Sequence, residues 1–330
     1  MAVKIAGTGF YVPEKILTNA DLEKMVDTSD EWITTRTGIK ERHISEPEVP
    51  TSELALQAGL RAMEMAGVTA DQLDLLSVAT VSGDYQFPST SCVLHKKLGA
   101  SPKCACYDLQ AACSGLLYSM EVASSMLKNR KHARYALVIG AEKLSGMVDW
   151  SDRSTCVLFG DAASAVLLEK DDSDGPDCIR ISVLGADGTH GQILKIPAGG
   201  SAMPLSHETI DQKLHSIRMG GPEVFKLAVT AMSNASKEAL RECDLTVEQL
   251  RWVIPHQANK RIIDAIATRL GVKDEQLYVN VHRYGNTSAA SIGICLDEIV
   301  RSGQIKPGEY MLLTSFGAGM TWGATILRWG

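Results

Sequence analysis

The 330-residue sequence contains no Cys-x-x-Cys and no His-x-x-x-His, although it carries eight cysteines and eight histidines. Zinc sites draw on clustered ligands and disulfide frameworks belong to small secreted chains, so neither a metal nor a stapled scaffold is expected. Most of the cysteines, at 92, 104, 106, 113, 156, 178, 243 and 295, should act as small buried hydrophobes, with at most one or two carrying chemistry. Positive charge is not in excess: 33 Lys and Arg face 39 Asp and Glu, a formal net charge of −6. Nothing draws the whole chain to a phosphate backbone, and no nucleic-acid partner is expected. The opening Met1-Ala-Val-Lys-Ile-Ala-Gly-Thr-Gly-Phe10 lacks a basic-then-apolar leader pattern and is interrupted by Gly7, Gly9 and Pro13. The longest uncharged stretch, residues 310–327, is long enough to raise the question of a membrane span. Its Gly317, Gly319, Gly323 and four Ser/Thr residues make it read instead as strand, turn, strand. The expectation is a soluble, cytoplasmic protein with no membrane partner.

What remains is an ordinary folded composition, 45% hydrophobic and 22% charged, which excludes disorder and a fibrous repeat. The length exceeds that of one typical domain, so two packed halves or one large α/β domain are expected. Gly7-Thr-Gly9 invites a dinucleotide-binding reading, but that fingerprint needs a third Gly or Ala at position 12 and a helix starting there. Val12-Pro13 stands there instead, and the reading is rejected. Self-similarity is more informative. Residues 62–73 lead into apolar 75–79 as residues 239–250 lead into 252–254. Leu98-Gly99 matches Leu270-Gly271, and 135–139 matches 310–313, all at offsets of about 175 residues. Cys113 and Asn286 each open an apolar-periodic segment and fall at matching positions of this repeat. Helices alternate with strands throughout, which predicts two related α/β halves with buried sheets, 1–173 and 174–330. They would be joined within residues 170–176 and face each other across a cleft.

Cys113 lies in Tyr107-Asp-Leu-Gln-Ala-Ala-Cys-Ser-Gly-Leu-Leu117, an extended segment running through small residues into a helical pattern. That arrangement presents a thiol at a helix N-terminus, whose dipole and free N–H groups favour the nucleophilic thiolate. Its plainer role is a core cysteine. His256, in Trp252-Val-Ile-Pro-His-Gln-Ala-Asn259, follows an apolar strand, where α/β folds assemble sites. Alone it would be a histidine packed at a strand end. Asn286, in His282-Arg-Tyr-Gly-Asn-Thr-Ser-Ala-Ala-Ser291, would alone be a helix N-cap. Together the three supply a nucleophile and two neutral hydrogen-bond donors at related landmarks of the two halves.

With these residues the chain resembles the β-ketoacyl-acyl carrier protein synthase III family of condensing enzymes, within the thiolase superfamily, over essentially its whole length. The motifs that carry the resemblance are Ala111-Ala-Cys113-Ser-Gly115, Pro255-His256-Gln-Ala-Asn259, Gly285-Asn286-Thr-Ser-Ala-Ala-Ser291 and Phe316-Gly-Ala-Gly-Met-Thr-Trp-Gly323. Related elongating synthases use Cys-His-His and thiolases Cys-His-Cys, so Asn286 favours the initiating branch. The resemblance implies a thiolase-like α/β fold, with two pseudo-symmetric halves in a layered αβαβα architecture. It implies condensation of a short acyl-CoA with malonyl-acyl carrier protein through an acyl-Cys113, with no metal or redox cofactor.

The resemblance also assigns roles beyond the three central residues. The backbone N–H groups of Cys113 and Ala318 would form an oxyanion hole. Many relatives carry glycine at the position of Ala318, but a backbone donor requires Gly only where φ is positive. Thr28, Trp32, Arg36 and Arg153 would contact the CoA nucleotide, and Phe225 and Asn259 the pantetheine channel. An indole face beside guanidinium groups suits adenine and phosphate. Lys226, Lys260, Arg261 and Arg269 would dock the acidic carrier protein through a local patch. The family is homodimeric, which would bring Phe87 to the neighbouring subunit's acyl pocket. Alternatives are a condensing enzyme of secondary metabolism, a type III polyketide-like synthase extending on CoA esters, and a catalytically idle relative acting as a binding partner.

Overall fold

Long apolar strands need cover on both faces, and this chain provides it by alternating strand with helix. The computed structural model describes residues 2–171 and 175–330, so the expected junction between residues 173 and 174 lies outside the described residues. In chain order the main elements are β1 (Ala2–Tyr11), α1 (Asp30–Thr37), α2 (Thr51–Ala66), β2 (Leu73–Ala79), α3 (Thr90–Leu98), β3 (Ala105–Leu109), α4 (Gly115–Asn129), β4 (Tyr135–Glu142) and β5 (Ala162–Asp171). There follow β6 (Ile179–Ala186), α5 (Gly221–Glu242), β7 (Leu250–Pro255), α6 (Lys260–Leu270), α7 (Ser291–Arg301), β8 (Tyr310–Gly317) and β9 (Thr321–Arg328).

The first half forms a sheet of order β1-β5-β4-β2-β3, and the second a sheet of order β7-β8-β9-β6. In the first, β4, β2 and β3 run parallel while β5 and β1 are antiparallel additions. In the second, β7 and β8 are parallel while β9 and β6 are antiparallel. Strand for strand, β6 therefore repeats β1, β9 repeats β5, β8 repeats β4 and β7 repeats β2. The counterpart of β3 is reduced to a single bridge between Val253 and Leu277.

Period-two alternation divides each strand between two cores. Along β4, Ala136 and Val138 join a central core with Leu116 and Met120 of α4 and Ile292 and Leu296 of α7. Leu137 and Ile139 point the other way, onto Leu54 and Ala58 of α2. In the second sheet Ile254, Met311 and Leu313 face the central core, and Val253, Leu312 and Ile326 pack with Val229 of α5 and Ile266 of α6. The layers thus run helix, sheet, the α4/α7 pair, sheet, helix, which is the expected αβαβα order. The glycines rejected as a nucleotide motif serve this packing, since a Cβ on Gly9 would stand 2.6 Å from Ala62 N on α2.

The repeat also corrects a register. Ala112 (φ 47) opens the 3-10 turn Ala112–Ser114 before α4, and Ser288 (φ 47) opens the turn Ser288–Ala290 before α7. Ser288 is therefore the counterpart of Ala112, and Ala289 that of Cys113; Asn286 lies three residues earlier. A slip of three is close to one helical turn of about 3.6 residues, so apolar periodicity alone leaves it undetected.

Candidate active site

After β3 the chain turns into α4, which puts Cys113 in the tight turn at the head of that helix. The turn is stapled to the hairpin of β8 and β9. Ser315 Oγ donates to Cys113 O at 2.7 Å, Thr321 Oγ1 to Ala111 O at 2.9 Å, and Ser114 Oγ to Thr321 O at 3.1 Å. The backbones meet so closely that a Cβ on Gly317 would lie 2.6 Å from Cys113 N. Beyond it, Gly319 (φ 77) and Met320 (φ 52) take the left-handed conformations, and Ala318 does not, so alanine fits at 318 without strain. Cys113 keeps part of its surface open to the cavity, yet burial pushes its thiol up to about 12. That overturns the expectation of a resting thiolate: desolvation outweighs the helix end, and the proton has to leave as the sulfur attacks.

His256 stands just past β7, and its N–H donates to Thr314 O at 2.7 Å, prolonging the ladder. Gln257 behind it pins the neighbouring loop, accepting from Asn280 N and Val281 N at 2.9 and 3.1 Å and donating to Pro255 O at 2.7 Å. The His256 Nδ1 lies 2.6 Å from Ser291 Oγ, which itself accepts from Gln257 N at 3.5 Å. A Ser291 hydroxyl that donates to Nδ1 places the ring proton on Nε2. His256 Nε2 is buried and has no protein partner. Burial pushes the imidazole down to about 3, so it is neutral near neutral pH and offers an uncharged N–H.

Asn286 is tied by its backbone to Leu158 O at 2.8 Å and Gly160 N at 3.1 Å. Its Oδ1 accepts from Ser288 N at 2.9 Å, which leaves the Nδ2 hydrogens for a ligand. The side chain therefore caps a local turn rather than α7 itself.

Cys113, His256 and Asn286 all line one cavity of about 1030 Å³, which extends to Trp32 and Arg36 and also meets Phe225, Asn259, Arg261 and Ala318. That is at the upper end of the roughly 300–1,000 Å³ usual for small-molecule sites, as a long, flexible ligand requires. At its mouth the Arg36 and Arg153 guanidiniums stand 4.8 and 5.4 Å from the Trp32 ring, a frame for a planar base. Arg153 is steadied by Asp27 O at 2.8 Å. Thr28 and Arg153 are not part of the cavity wall, although Thr28 Oγ1 is buried without a partner. Asn259 has a structural duty as well, since it caps α6 by accepting from Arg261 N at 2.9 Å.

Of the four basic residues expected to dock a partner, only Arg261 reaches the cavity, 5.8 Å from the Phe225 ring. Lys226 is exposed on α5, Lys260 pairs with Asp264 at 2.6 Å, and Arg269 donates to Thr230 Oγ1 at 3.3 Å. Phe87 is 85% exposed and lies off this cavity. Among the described residues no three His, Cys, Asp or Glu side chains converge to hold a metal ion, and no helix is long and apolar enough to cross a membrane.

Residue-by-residue reading of the sequence missed the hydroxyl scaffold of Ser291, Ser315 and Thr321, and it missed Glu142. This glutamate ends the otherwise apolar β4 and is fully buried. Its Oε2 accepts from Ser82 Oγ at 2.6 Å, Val81 N at 3.1 Å and Thr80 Oγ1 at 3.2 Å, and its Oε1 from Ser288 Oγ at 3.0 Å. A single acid closing a run of apolar strand residues was the signal available.

Family models described as 3-oxoacyl-[acyl-carrier-protein (ACP)] synthase III and as its C-terminal part match residues 107–188 and 240–329. A β-ketoacyl-[acyl-carrier-protein] synthase III of Caldanaerobacter subterraneus subsp. tengcongensis is 51% identical over 329 residues, covering 100% of this chain and 98% of the relative. The crystal structure of 3-oxoacyl-[acyl-carrier-protein] synthase III from Aquifex aeolicus superposes with a TM-score of 0.90 at 44% identity, covering 99% of this chain and 100% of that one. The priming β-ketosynthase of the R1128 polyketide pathway superposes with a TM-score of 0.90 at 33% identity, covering 99% and 96% of the two chains. With a thiolase-like fold and full-length identity of this order, the chain belongs to the 3-oxoacyl-[acyl-carrier-protein] synthase III family.

Proposed function

We propose that this chain is the initiating condensing enzyme of type II fatty-acid synthesis, joining a short acyl-CoA to malonyl-acyl carrier protein and releasing CoA and carbon dioxide. The observation that supports it best is the meeting of Cys113, His256 and Asn286 on one deep cavity whose mouth carries Trp32 and Arg36. Cys113 Sγ attacks the thioester carbonyl, and the backbone N–H groups of Cys113 and Ala318 hold the oxyanion. Collapse breaks the bond to the CoA sulfur, which leaves as the thiol and departs with the nucleotide framed by Trp32, Arg36, Arg153 and Thr28. Phe225 and Asn259 flank the pantetheine arm.

Malonyl-acyl carrier protein then threads the same channel, its protein part against Lys226, Lys260, Arg261 and Arg269. His256 Nε2–H and Asn286 Nδ2–H donate to its thioester oxygen. As the carboxylate leaves as carbon dioxide, the bonding pair becomes an enolate that these neutral donors stabilise. The enolate carbon attacks acyl-Cys113, the C–S bond breaks, and the sulfur recovers a proton as 3-oxoacyl-acyl carrier protein leaves. The electron pair comes from the malonyl C–C bond, so the reaction calls for no redox cofactor or metal. The enzyme works as a homodimer in the cytoplasm, and the exposed Phe87 completes the partner's acyl pocket.

The test is mass spectrometry of the intact chain with acetyl-CoA, combined with decarboxylation assays. Cys113→Ala should take up no acetyl group. His256→Ala should still acetylate but lose about 10²–10³-fold in decarboxylation and condensation. Condensation by His256→Ala at the wild-type rate would remove His256 from its role. Malonyl-CoA serving as well as the carrier-protein substrate would move the enzyme to the polyketide-like alternative.

A further inference from the structure

We propose that Ser288 and Glu142 form a proton relay behind Cys113, in which the thiol proton passes to Ser288 Oγ as the Ser288 hydroxyl proton passes to Glu142 Oε1. The relay rests on the reading of Cys113 as the nucleophile. Three observations point to it. First, Glu142 is a fully buried carboxyl with four hydrogen-bond donors and, among the described residues, no cationic partner. A buried acid without a counter-charge is costly to fold around, and the apolar β4 needs none. Second, the Ser288 side chain stands next to the Cys113 thiol and favours its anion, and its Oγ donates to Glu142 Oε1 at 3.0 Å. Ser288 lines the cavity with Cys113 and Glu142 does not, so the hydroxyl stands between the cavity and the buried carboxyl. Third, the fold does not require that hydroxyl. The counterpart of Ser288 in the first half is Ala112, which adopts the same φ of 47 with no hydroxyl at all.

The groups around Glu142 leave Cys113 as its proton donor. The segment after β2 offers the uncharged Thr80, Val81 N–H and Ser82, and the turn before α7 offers Ser288. Lys143, next in the chain, turns its ammonium away onto the carbonyls of Glu46, Pro47 and Val49. Burial holds the Glu142 carboxyl up at about 7 and the thiol at about 12. Near neutrality the carboxylate is thus available to take a proton that the isolated sulfur would keep. In the transfer the Cys113 S–H bond breaks as the S–C bond to the acyl group forms, and Glu142 becomes neutral. When the bond to CoA breaks, the proton returns along the same path to the departing sulfur, so no outside acid or base takes part.

The experiment follows alkylation of Cys113 by iodoacetamide in the full chain as a function of pH, read at the Cys113 peptide by mass spectrometry. Ser288→Ala keeps the backbone bond to Asn286 Oδ1, and Ala112 shows that alanine accepts the conformation. In the wild type the rate should rise through pH 7. Ser288→Ala and Glu142→Gln should each lose that rise, reacting about 10²-fold more slowly at pH 7 and recovering only toward high pH. A wild-type profile in Ser288→Ala, or a uniform slowing at every pH in both variants, would overturn the relay. Acetylation of the wild type by acetyl-CoA reports separately on Cys113 as the nucleophile.

Discussion

Adding one methyl group at Gly317 perturbs the proposed site through sterics alone. The residue has φ −140 and ψ 175, extended backbone that alanine adopts freely, so Gly317→Ala adds no conformational strain. Its Cβ, however, would stand 2.6 Å from Cys113 N, 3.0 Å from Ala112 Cβ and 3.1 Å from Ala111 O. Non-bonded heavy atoms rest at about 3.5 Å, so the β8–β9 hairpin and the nucleophile turn must part by roughly 0.9 Å. Overpacking of this kind lowers stability by about 1–3 kcal/mol. The larger effect falls on catalysis, because both proposed oxyanion donors, Cys113 N–H and Ala318 N–H, lie on the two surfaces being pushed apart. A misplacement of about 1 Å is enough to slow a reaction by about 10²-fold. Single-turnover acetylation of Cys113, followed by intact mass, should therefore fall by about that factor while the chain still unfolds cooperatively. Gly319→Ala is the control. Its φ of 77 makes alanine strained, but its Cβ would find only Thr321 Cγ2, at 3.9 Å, so it should lose about 1 kcal/mol and acetylate within a few-fold of wild type. Wild-type acetylation by Gly317→Ala, or equal damage from Gly319→Ala, would refute the close-approach reasoning.

Ser291→Ala removes the donor that holds the His256 proton on Nε2, so malonyl decarboxylation should drop by about 10²-fold while Cys113 acetylation persists; ¹⁵N NMR of the imidazole should show the tautomer shift. Joint charge reversal at Arg261 and Arg269 should raise the KM for the carrier-protein substrate at low salt, with the difference fading as salt screens it; unchanged low-salt kinetics would remove the docking patch. Trp32→Ala should raise the KM for acyl-CoA by about tenfold without affecting that for the carrier protein. His256, held down at about 3 against an ordinary 6.5, binds fewer protons folded than unfolded between those values. Its contribution to stability is therefore full above pH 6.5 and is lost as pH falls toward 3. His256→Gln should flatten the acid side of the melting-temperature profile.

The layered fold was legible because its signals are local and repeated. Apolar strands alternate with helices, and the Gln-Leu pairs at 72–73 and 249–250 both mark a turn entering a strand of a parallel pair. The glycine-rich end read as strand, turn, strand is the β8–β9 hairpin. What stayed hidden depends on which chemistry faces which across a distance of many residues. Ser291 and His256, Glu142 and Ser288, Gly317 and Cys113 are far apart in sequence, and no periodicity links them. The protonation of Cys113 was misjudged for the same reason: a helix end is visible in sequence, but the desolvation that outweighs it belongs to the assembled core.

Duplication accounts for why the proposed site gathers where it does. Each half carries a left-handed turn residue that opens a central helix, Ala112 before α4 and Ser288 before α7, and α4 and α7 share the central core. Two such turns brought face to face place the heads of both helices in one cleft. The halves then diverged within an inherited frame. The first carries the thiol one residue after its turn residue. The second has alanine there, with an amide two residues before the turn residue and a serine three residues after it, bonded to His256. If this division is right, moving the nucleophile across the pseudo-symmetry should fail. A Cys113→Ala, Ala289→Cys double variant has its sulfur on the counterpart turn, whereas the Gly317 backbone closes on the turn of Ala111, Ala112 and Cys113. It should acetylate no faster than Cys113→Ala alone, whereas recovery of acyl transfer would mean that the helix head suffices without the hairpin.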